Sequence, residues 1–172
     1  MQNKIDFLFD ILKRYDHYIA TTNFKVGLTM SFLLTVILGL IHSSMSFGTN
    51  NNVNKFVFFL LVVLVVITVA ISLIAIVYLF SVVFPNTNTP VTYKSLIFFG
   101  DVANTTDGAN SYYEKIKNAS EEDILKDIAF QTFTVAEITT DKFKKLQTVF
   151  TIIKRGVLPF FFLSIIFLLC IR

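Results

Sequence analysis

The 172-residue sequence contains no tryptophan, two histidines and a single cysteine, Cys170. One cysteine excludes an intrachain disulfide, and the His and Cys residues do not have the spacing of a metal site. The sequence also lacks a glycine-rich phosphate loop and a serine-centred nucleophile motif. These absences predict that the chain is not an enzyme, has no catalytic residues and holds no metal or resident cofactor.

Three long segments contain almost no ionisable residues. The longest, residues 56–84, has 29 residues without Asp, Glu, Lys, Arg or His. As a helix it would be about 43 Å long, whereas the hydrocarbon core of a bilayer is about 30 Å thick. Residues 24–44 and 157–171 are the other two segments. Together with 54% hydrophobic residues and a mean hydropathy of +0.67, they predict an all-α integral membrane protein with three transmembrane helices.

The basic residues are distributed unevenly about these spans. Thirteen of the fifteen lie before the first span or between the second and third, the exceptions being Lys55 and Arg172. The positive-inside rule therefore places the N-terminus and residues 85–156 in the cytoplasm, and the 45–55 loop and the C-terminus outside. The net charge of +3 is small and interspersed, which does not indicate nucleic-acid binding.

The polar parts of the chain are predicted to be helical. Residues 1–23 have the apolar spacing of a cytoplasmic amphipathic helix. Residues 85–156 are predicted to form a small helical sensing module that begins with an irregular linker, 85–90, after Pro85 ends the second span. Asn, Asp, Thr and Gly predict a loop over 101–110, followed by a short helix over 111–117.

A long helix is predicted over residues 120–155, with Ser120 as its N-cap and Asp123 three residues later. Gly156 and Pro159 follow, and Pro159 cannot donate a backbone hydrogen bond, so a kink is expected where this helix meets the third span. Such a kink is a candidate mechanical link.

Five basic residues lie near the end of this helix. Lys142, Lys144 and Lys145 are expected to form a solvated face, the alternative being that they bind an anionic lipid or ligand. Lys154 and Arg155 are expected to mark the membrane interface.

The composition of one segment, Tyr93–Tyr113, indicates a ligand site. It combines a cation, a carboxylate and aromatic rings, which suit a phosphate, a sugar or base edge, and base stacking. The alternative is that its apolar residues only attach the loop to the long helix. The candidate ligand-binding residues are Lys94, Phe98, Phe99, Asp101 and Tyr113.

The order of these features resembles a known family. HYIATTNFKVGLTMSFLLTVIL (17–38), SLIFFGDVAN (95–104) with SYYEKI (111–116), and DIAFQTFTVAEITTDKFKKLQTVF (127–150) resemble the transmembrane effectors of the Pycsar antiphage systems. These are small bacterial membrane proteins paired with a pyrimidine cyclase. Lys25 matches a basic position of that family, and Asn23 stands where an acid is expected.

The resemblance implies a cyclic-nucleotide-activated effector of antiphage abortive infection, with cyclic UMP (cUMP) or cyclic CMP (cCMP) as the activating ligand. It implies a multi-pass protein of the cell inner membrane whose integrity it impairs. Its partners would be the lipid bilayer, further copies of itself as a homo-oligomer and, functionally, a nucleotide cyclase. The alternative is a membrane anchor or assembly subunit that docks a cytoplasmic partner through the 120–155 helix without responding to a ligand. A holin-like protein that forms membrane lesions without a trigger is a further alternative.

Overall fold

The computed structural model describes residues 2–48, 54–84 and 94–171. Within these ranges there is no strand, and three helices are long and apolar enough to cross a membrane, which confirms the predicted fold class. The described helices are α1 (Gln2–Gly48), α2 (Lys55–Val83), α3 (Phe99–Ala103), α4 (Gly108–Asn118), α5 (Glu121–Ile152) and α6 (Leu158–Ile171), with a π-helical segment, Ile153–Val157, between the last two.

Some predicted boundaries differ from the observed ones. α1 joins the predicted amphipathic helix to the first span without a break and runs on to Gly48, into the predicted 45–55 loop. The predicted loop over 101–110 is wrong at both ends, because α3 includes Asp101 and α4 begins at Gly108. Asp107 and Gly108 adopt left-handed conformations, so the turn-forming residues make one tight turn instead of a long loop. Pro85 and the 85–90 linker lie outside the described residues.

The chain divides into two compact units. The first unit contains the start of α1, up to Thr21, with α3, α4 and α5 as far as Asp141. The second contains the rest of α1 from Thr22, then α2, and the chain from Lys142 onward.

The second unit is built around an apolar core contributed by all of its helices. Residues of α1, α2, α5, the π segment and α6 pack together, and many outward-facing side chains of α1, α2 and α6 are also apolar. Exposed apolar side chains on a helix that can cross a membrane are suited to contact lipid. The buried core consists of Val26, Leu33, Val36, Leu40, Leu61, Val65, Ala75, Leu79, Val82, Leu146, Val149, Ile153 and Val157.

Lys142 belongs to the interior of this unit, so its predicted place on a solvated face is wrong. Its side chain is only 6% exposed. Its Nζ donates to the carbonyl oxygens of Val82 and Val83 (3.3 Å for Val83) and to Asn23 Oδ1 at 3.3 Å. The last carbonyls of α2 have no partner within the helix, and a cation is favoured at that end. Lys142 therefore caps α2 from another helix, whereas Lys144 is exposed as expected.

The π-helical segment lies where the kink was expected. Pro159 has no N–H to donate to the Arg155 carbonyl, and just before it the Leu158 N–H bonds to the Ile153 carbonyl, which is the π pattern. Gly156 lies in this segment and packs closely on α2, because a Cβ added to it would be 2.8 Å from Ile71 Cγ2. A side chain at this position has no room unless Ile71 moves.

The N-terminus of α5 has the predicted cap. The Ser120 hydroxyl donates to Asp123 Oδ2 at 2.6 Å, the Ser120 N–H donates to the same oxygen at 3.0 Å, and the Asp123 N–H donates to Ser120 Oγ at 3.1 Å. The hydroxyl first, and then the backbone N–H, hold the pKa of the Asp123 carboxyl below its usual range. This is the reciprocal bonding of a capping box.

We predict that Gly156→Ala lowers the free energy of unfolding by about 1–3 kcal/mol, because the added methyl group overpacks the contact with Ile71. The measurement is thermal unfolding of the detergent-solubilised chain, followed by circular dichroism. Gly39→Ala is the matched control, since a Cβ there meets nothing within 4 Å. In an Ile71→Ala background the Gly156→Ala substitution is expected to cost much less, and an unchanged cost would contradict the assignment.

We also predict that Ser120→Ala raises the pKa of Asp123, because the strongest donor to its carboxylate is removed. A lowered carboxyl pKa stabilises the fold above the unfolded pKa of about 3.9, and this contribution is lost as the pH falls through the lower folded value. Ser120→Ala brings the folded and unfolded pKa values of Asp123 closer together. The substituted chain is therefore expected to lose less stability as the pH falls between these two pKa values. An NMR titration of the Asp123 carboxyl carbon, with Glu121 as internal reference, measures the shift. An unaltered Asp123 titration would show that the hydroxyl does not set it.

Candidate functional site

A buried carboxylate organises the first unit. Asp127, on α5, is 1% exposed, and its Oδ2 accepts hydrogen bonds from Ser95 Oγ at 3.1 Å and from the Leu96 N–H at 2.8 Å. Its other oxygen, Oδ1, has no partner among the described residues. A carboxylate buried this deeply is costly unless it is hydrogen-bonded. Asp127 therefore fixes the chain segment at Ser95–Leu96 against α5.

Ser95 is the second member of this network and takes part through its N–H and its hydroxyl. Its N–H donates to Asp101 Oδ2 at 2.9 Å, and its hydroxyl oxygen accepts from the N–H groups of Ile97 at 3.1 Å and Phe98 at 2.9 Å. Asp101 and Ser95 thus close the turn that leads into α3. The N–H and the hydroxyl of Ser95 are both hydrogen-bonded, which explains why a serine side chain can be buried here.

The Phe98–Phe99–Gly100 sequence has a steric explanation. A Cβ on Gly100 would lie 2.6 Å from Phe98 Cε1, so the Phe98 ring occupies the space that a side chain would need. The rings of Phe98 and Phe99 are 4.7 Å apart and tilted. Phe98 is half-buried, whereas Phe99 is 71% exposed. Phe98 therefore packs the turn, and Phe99 projects from it.

A cavity of about 250 Å³ lies beside this turn. Its wall is held by the Ser95–Asp101 bond and by Tyr112, whose hydroxyl donates to the Leu96 carbonyl at 2.8 Å. We call it the Lys94 cavity. Its lining residues are Lys94, Ser95, Leu96, Asp101, Asn104, Thr105, Tyr112 and Lys115.

The Lys94 cavity has two cations and few competing charges. Lys94 and Lys115 are exposed, and neither forms an ion pair with another described residue. The Asn104 amide donates to the Gly100 carbonyl at 2.7 Å and the Thr105 hydroxyl donates to the Asp101 carbonyl at 3.2 Å, so both oxygens can still accept. Two unpaired ammonium groups beside polar acceptors suit a small anionic ligand that also carries hydrogen-bond donors.

The structure brings together only part of the predicted ligand site. Lys94 and Asp101 line the cavity, but Phe98, Phe99 and Tyr113 do not. Tyr113 is 62% exposed, and its ring lies 5.9 Å from Lys117 Nζ. The aromatic ring in the cavity wall is that of the neighbouring Tyr112. Gly156 and Pro159, the predicted coupling residues, belong to the second unit.

The residues predicted from the sequence did not include Lys115, Asn104 and Thr105 of the cavity lining, or Asp127, which holds the cavity wall. Asp127 had a signal, because it is an acid directly beside the apolar stripe of α5 that includes Ile124 and Ile128. Lys115 also had one, since it follows Tyr112 by three residues and lies on the same face of α4. No group of three or more His, Cys, Asp or Glu within the described ranges can hold a metal ion.

The comparisons with known proteins agree with this structure. A family model described as Pycsar effector protein domain, PycTM, matches residues 7–170. The chain belongs to this family. It is also 29% identical over 162 residues to the Pycsar effector protein EcPycTM of Escherichia coli, which covers 90% of this chain and 85% of that protein. No solved structure gives a significant match.

This membership confirms the resemblance seen in the sequence and implies that the protein is an effector of antiphage defence. This family is not a known class of enzyme.

We predict that Asp127→Ala lowers the free energy of unfolding by about 2–4 kcal/mol, because it removes two hydrogen bonds to a charged group and leaves the Leu96 N–H unsatisfied. Ser95→Ala is expected to cost less, and the double substitution less than the sum of the two. Thermal unfolding in detergent measures each value, with the exposed acid Glu137→Ala on the same helix as control. Additive losses would show that Asp127 and Ser95 act independently.

Proposed function

We propose that this Pycsar effector is activated by a cyclic mononucleotide, cUMP or cCMP, bound in the Lys94 cavity, and that activation impairs the inner membrane during abortive infection. The observation that carries the proposal is the pair of lysines without ion-pair partners, Lys94 and Lys115, in a cavity that Asn104 and Thr105 also line. The proposed order of events is cyclase activity, nucleotide binding, and then a change in the membrane-spanning unit.

The size of the cavity supports a single nucleotide. Pockets for small ligands usually measure about 300–1,000 Å³, and the Lys94 cavity, at about 250 Å³, is slightly smaller than the lower limit. A cyclic oligonucleotide would need several times the volume occupied by one nucleotide. The cavity therefore favours a mononucleotide signal over the larger cyclic messengers.

The lining residues suggest distinct roles. Lys94 and Lys115 are suited to the cyclic phosphate, because an ammonium group forms charge-assisted bonds with phosphate oxygens. The side-chain oxygens of Asn104 and Thr105 can accept hydrogen bonds from a base edge or a ribose hydroxyl. Asp101 and Tyr112 already bond to backbone groups, so we assign them to shaping the wall.

The proposed route to the membrane is α5. This helix carries Asp127, which holds the cavity wall, and continues through the π segment, with Gly156, into the third membrane helix at Pro159. A ligand changes such an equilibrium only if it binds one state more tightly than the other. We propose that closure of the wall around the nucleotide favours a different position of α5.

A membrane-potential dye tests the proposal in cells that express the full chain with or without an active pyrimidine cyclase. Depolarisation is expected only with the active cyclase, and Lys94→Gln with Lys115→Gln is expected to abolish it by removing both phosphate contacts. Lys117→Gln is the matched control, because Lys117 is on the same helix and outside the cavity. Depolarisation without the cyclase would indicate a constitutive lesion, and no response at all would favour the anchoring function.

Isothermal titration of the purified full chain with cUMP, cCMP and cyclic AMP tests binding directly. We expect one pyrimidine nucleotide to bind and the Lys94→Gln/Lys115→Gln protein to lose at least about tenfold in affinity, which is what the loss of 1.4 kcal/mol produces. Equal affinity for all variants would place the binding site elsewhere.

A further inference from the structure

The helix that leads into the third span has a polar outer face inside the second unit. Its buried side is formed by Lys142, Leu146, Val149 and Ile153, and the opposite side is polar and exposed. A membrane helix usually shows the reverse arrangement, with apolar groups facing outward. We call this face the polar lane; it consists of Lys144, Gln147, Thr148, Thr151, Lys154 and Arg155.

Two contacts place the polar lane along α2. Lys142 Nζ meets the Val83 carbonyl at the end of α2, and Gly156 packs on Ile71. Ile71 is about 18 Å from Val83 and about 24 Å from Lys55 along the helix axis. Since α2 is about 43 Å long and a hydrocarbon core about 30 Å thick, every placement of the core within α2 includes Ile71. Lys154 and Arg155 immediately precede Gly156 and lie at nearly the same depth.

Exposed apolar side chains place the core still further toward Val83. Leu73, Val77 and Phe80 are 50–68% exposed and lie between Ile71 and Val83 on α2. A core that excluded them would leave this large apolar surface in water. A core that covers Phe80 puts Ile71 about 13 Å inside the apolar layer. With the core placed in this way, the lane extends from the Lys142 level into the apolar layer, deeper than the interface at which the sequence analysis expects Lys154 and Arg155.

The cations of the lane have no counter-charge in this unit. Lys154 and Arg155 form no ion pair or hydrogen bond with any described residue outside the helix backbone. The twelve acidic residues of the chain all precede Thr22 or lie between Asp101 and Asp141, so the second unit contains none. The same unit of another copy lacks acids too. A charge in hydrocarbon is costly, so an anion or water must reach these groups from outside the chain.

We propose that the polar lane lines an aqueous vestibule between copies of this chain, and that Lys154 and Arg155 attract small inorganic anions into it. One copy supplies a single wall, because its lane faces away from its own core, and symmetric assembly supplies the others. The hydroxyls of Thr148 and Thr151 bond to backbone carbonyls, which leaves their oxygens as acceptors for water. The inference goes beyond nucleotide gating and does not require a bound nucleotide.

Cysteine reactivity tests this proposal in the full chain with Cys170→Ser as background. Thr151→Cys reports on the lane, and Val77→Cys is the control, since both positions are exposed and lie about 7–9 Å from the Gly156–Ile71 level toward the Lys142 end. The protein is reconstituted in phosphatidylcholine vesicles. Sulfonatoethyl and trimethylammonium methanethiosulfonates, one anionic and one cationic, are supplied on both sides, and each rate is divided by the rate with free cysteine.

We expect Thr151→Cys to react at least about tenfold faster than Val77→Cys, because a thiolate forms only where water is present. We expect the anionic reagent to react about tenfold faster than the cationic one at Thr151→Cys, since local cations concentrate it. Adding Lys154→Gln and Arg155→Gln is expected to remove the preference for the anionic reagent and to preserve access.

Three results would overturn the proposal. If Thr151→Cys reacted as slowly as Val77→Cys, the lane would face lipid or protein. Equal rates for the two reagents at Thr151→Cys would show that the lane does not attract anions. If vesicles containing phosphatidylglycerol abolished the anion preference, the cations would hold lipid phosphate and not ions from solution.

Discussion

The cost of placing an ionised side chain in hydrocarbon governs how this chain is arranged. All acidic residues belong to one compact unit, and the other unit has only basic and neutral side chains. Where a cation does enter the interior of that second unit, the structure supplies acceptors. The Lys142 ammonium group donates hydrogen bonds to carbonyls at the end of α2 and to the Asn23 amide oxygen. The helix terminus therefore stabilises this cation in place of a carboxylate. Asp127 is the corresponding case in the first unit, where Ser95 and the Leu96 N–H supply donors to a buried anion.

Much of the fold could be predicted from the sequence because its signals are local. A run of 29 uncharged residues requires no partner to be recognised as a span, and the Ser120–Asp123 cap is contained within one turn. The burial of Lys142 could not be predicted in this way, since its partners are 60 and 119 residues away. A lysine beside two other lysines has the local pattern of a solvated face. Only the packing of three helices shows that one of them points inward.

The Lys94 cavity lies in the segment that the sequence singles out, and its lining includes only some of the predicted residues. Lys94 and Asp101, which were predicted to lie together, both line the cavity because they flank the same short turn. Tyr112, and not the predicted Tyr113, lies in the cavity wall. Successive residues of a helix point about 100° apart, and composition does not determine which one faces inward. The Phe98–Phe99 pair has the appearance of a stacking platform, but Phe98 occupies the space above Gly100. That glycine is required by local packing, which is a different origin from contact with a ligand.

The π-helical turn at Ile153–Val157 makes the orientation of the last helix sensitive to the number of residues in this segment. It holds one residue more than an α turn, so every residue after it is rotated by about 100° relative to an uninterrupted α-helix. In this rotated register Val157 and Ser164 face the core, and the polar face ends at Arg155. The orientation of α6 therefore depends on a single inserted residue. Deleting one codon within this segment would turn the last helix about its own axis, whereas most substitutions there would preserve its register, so this part of the chain tolerates changes of side chain better than changes of length.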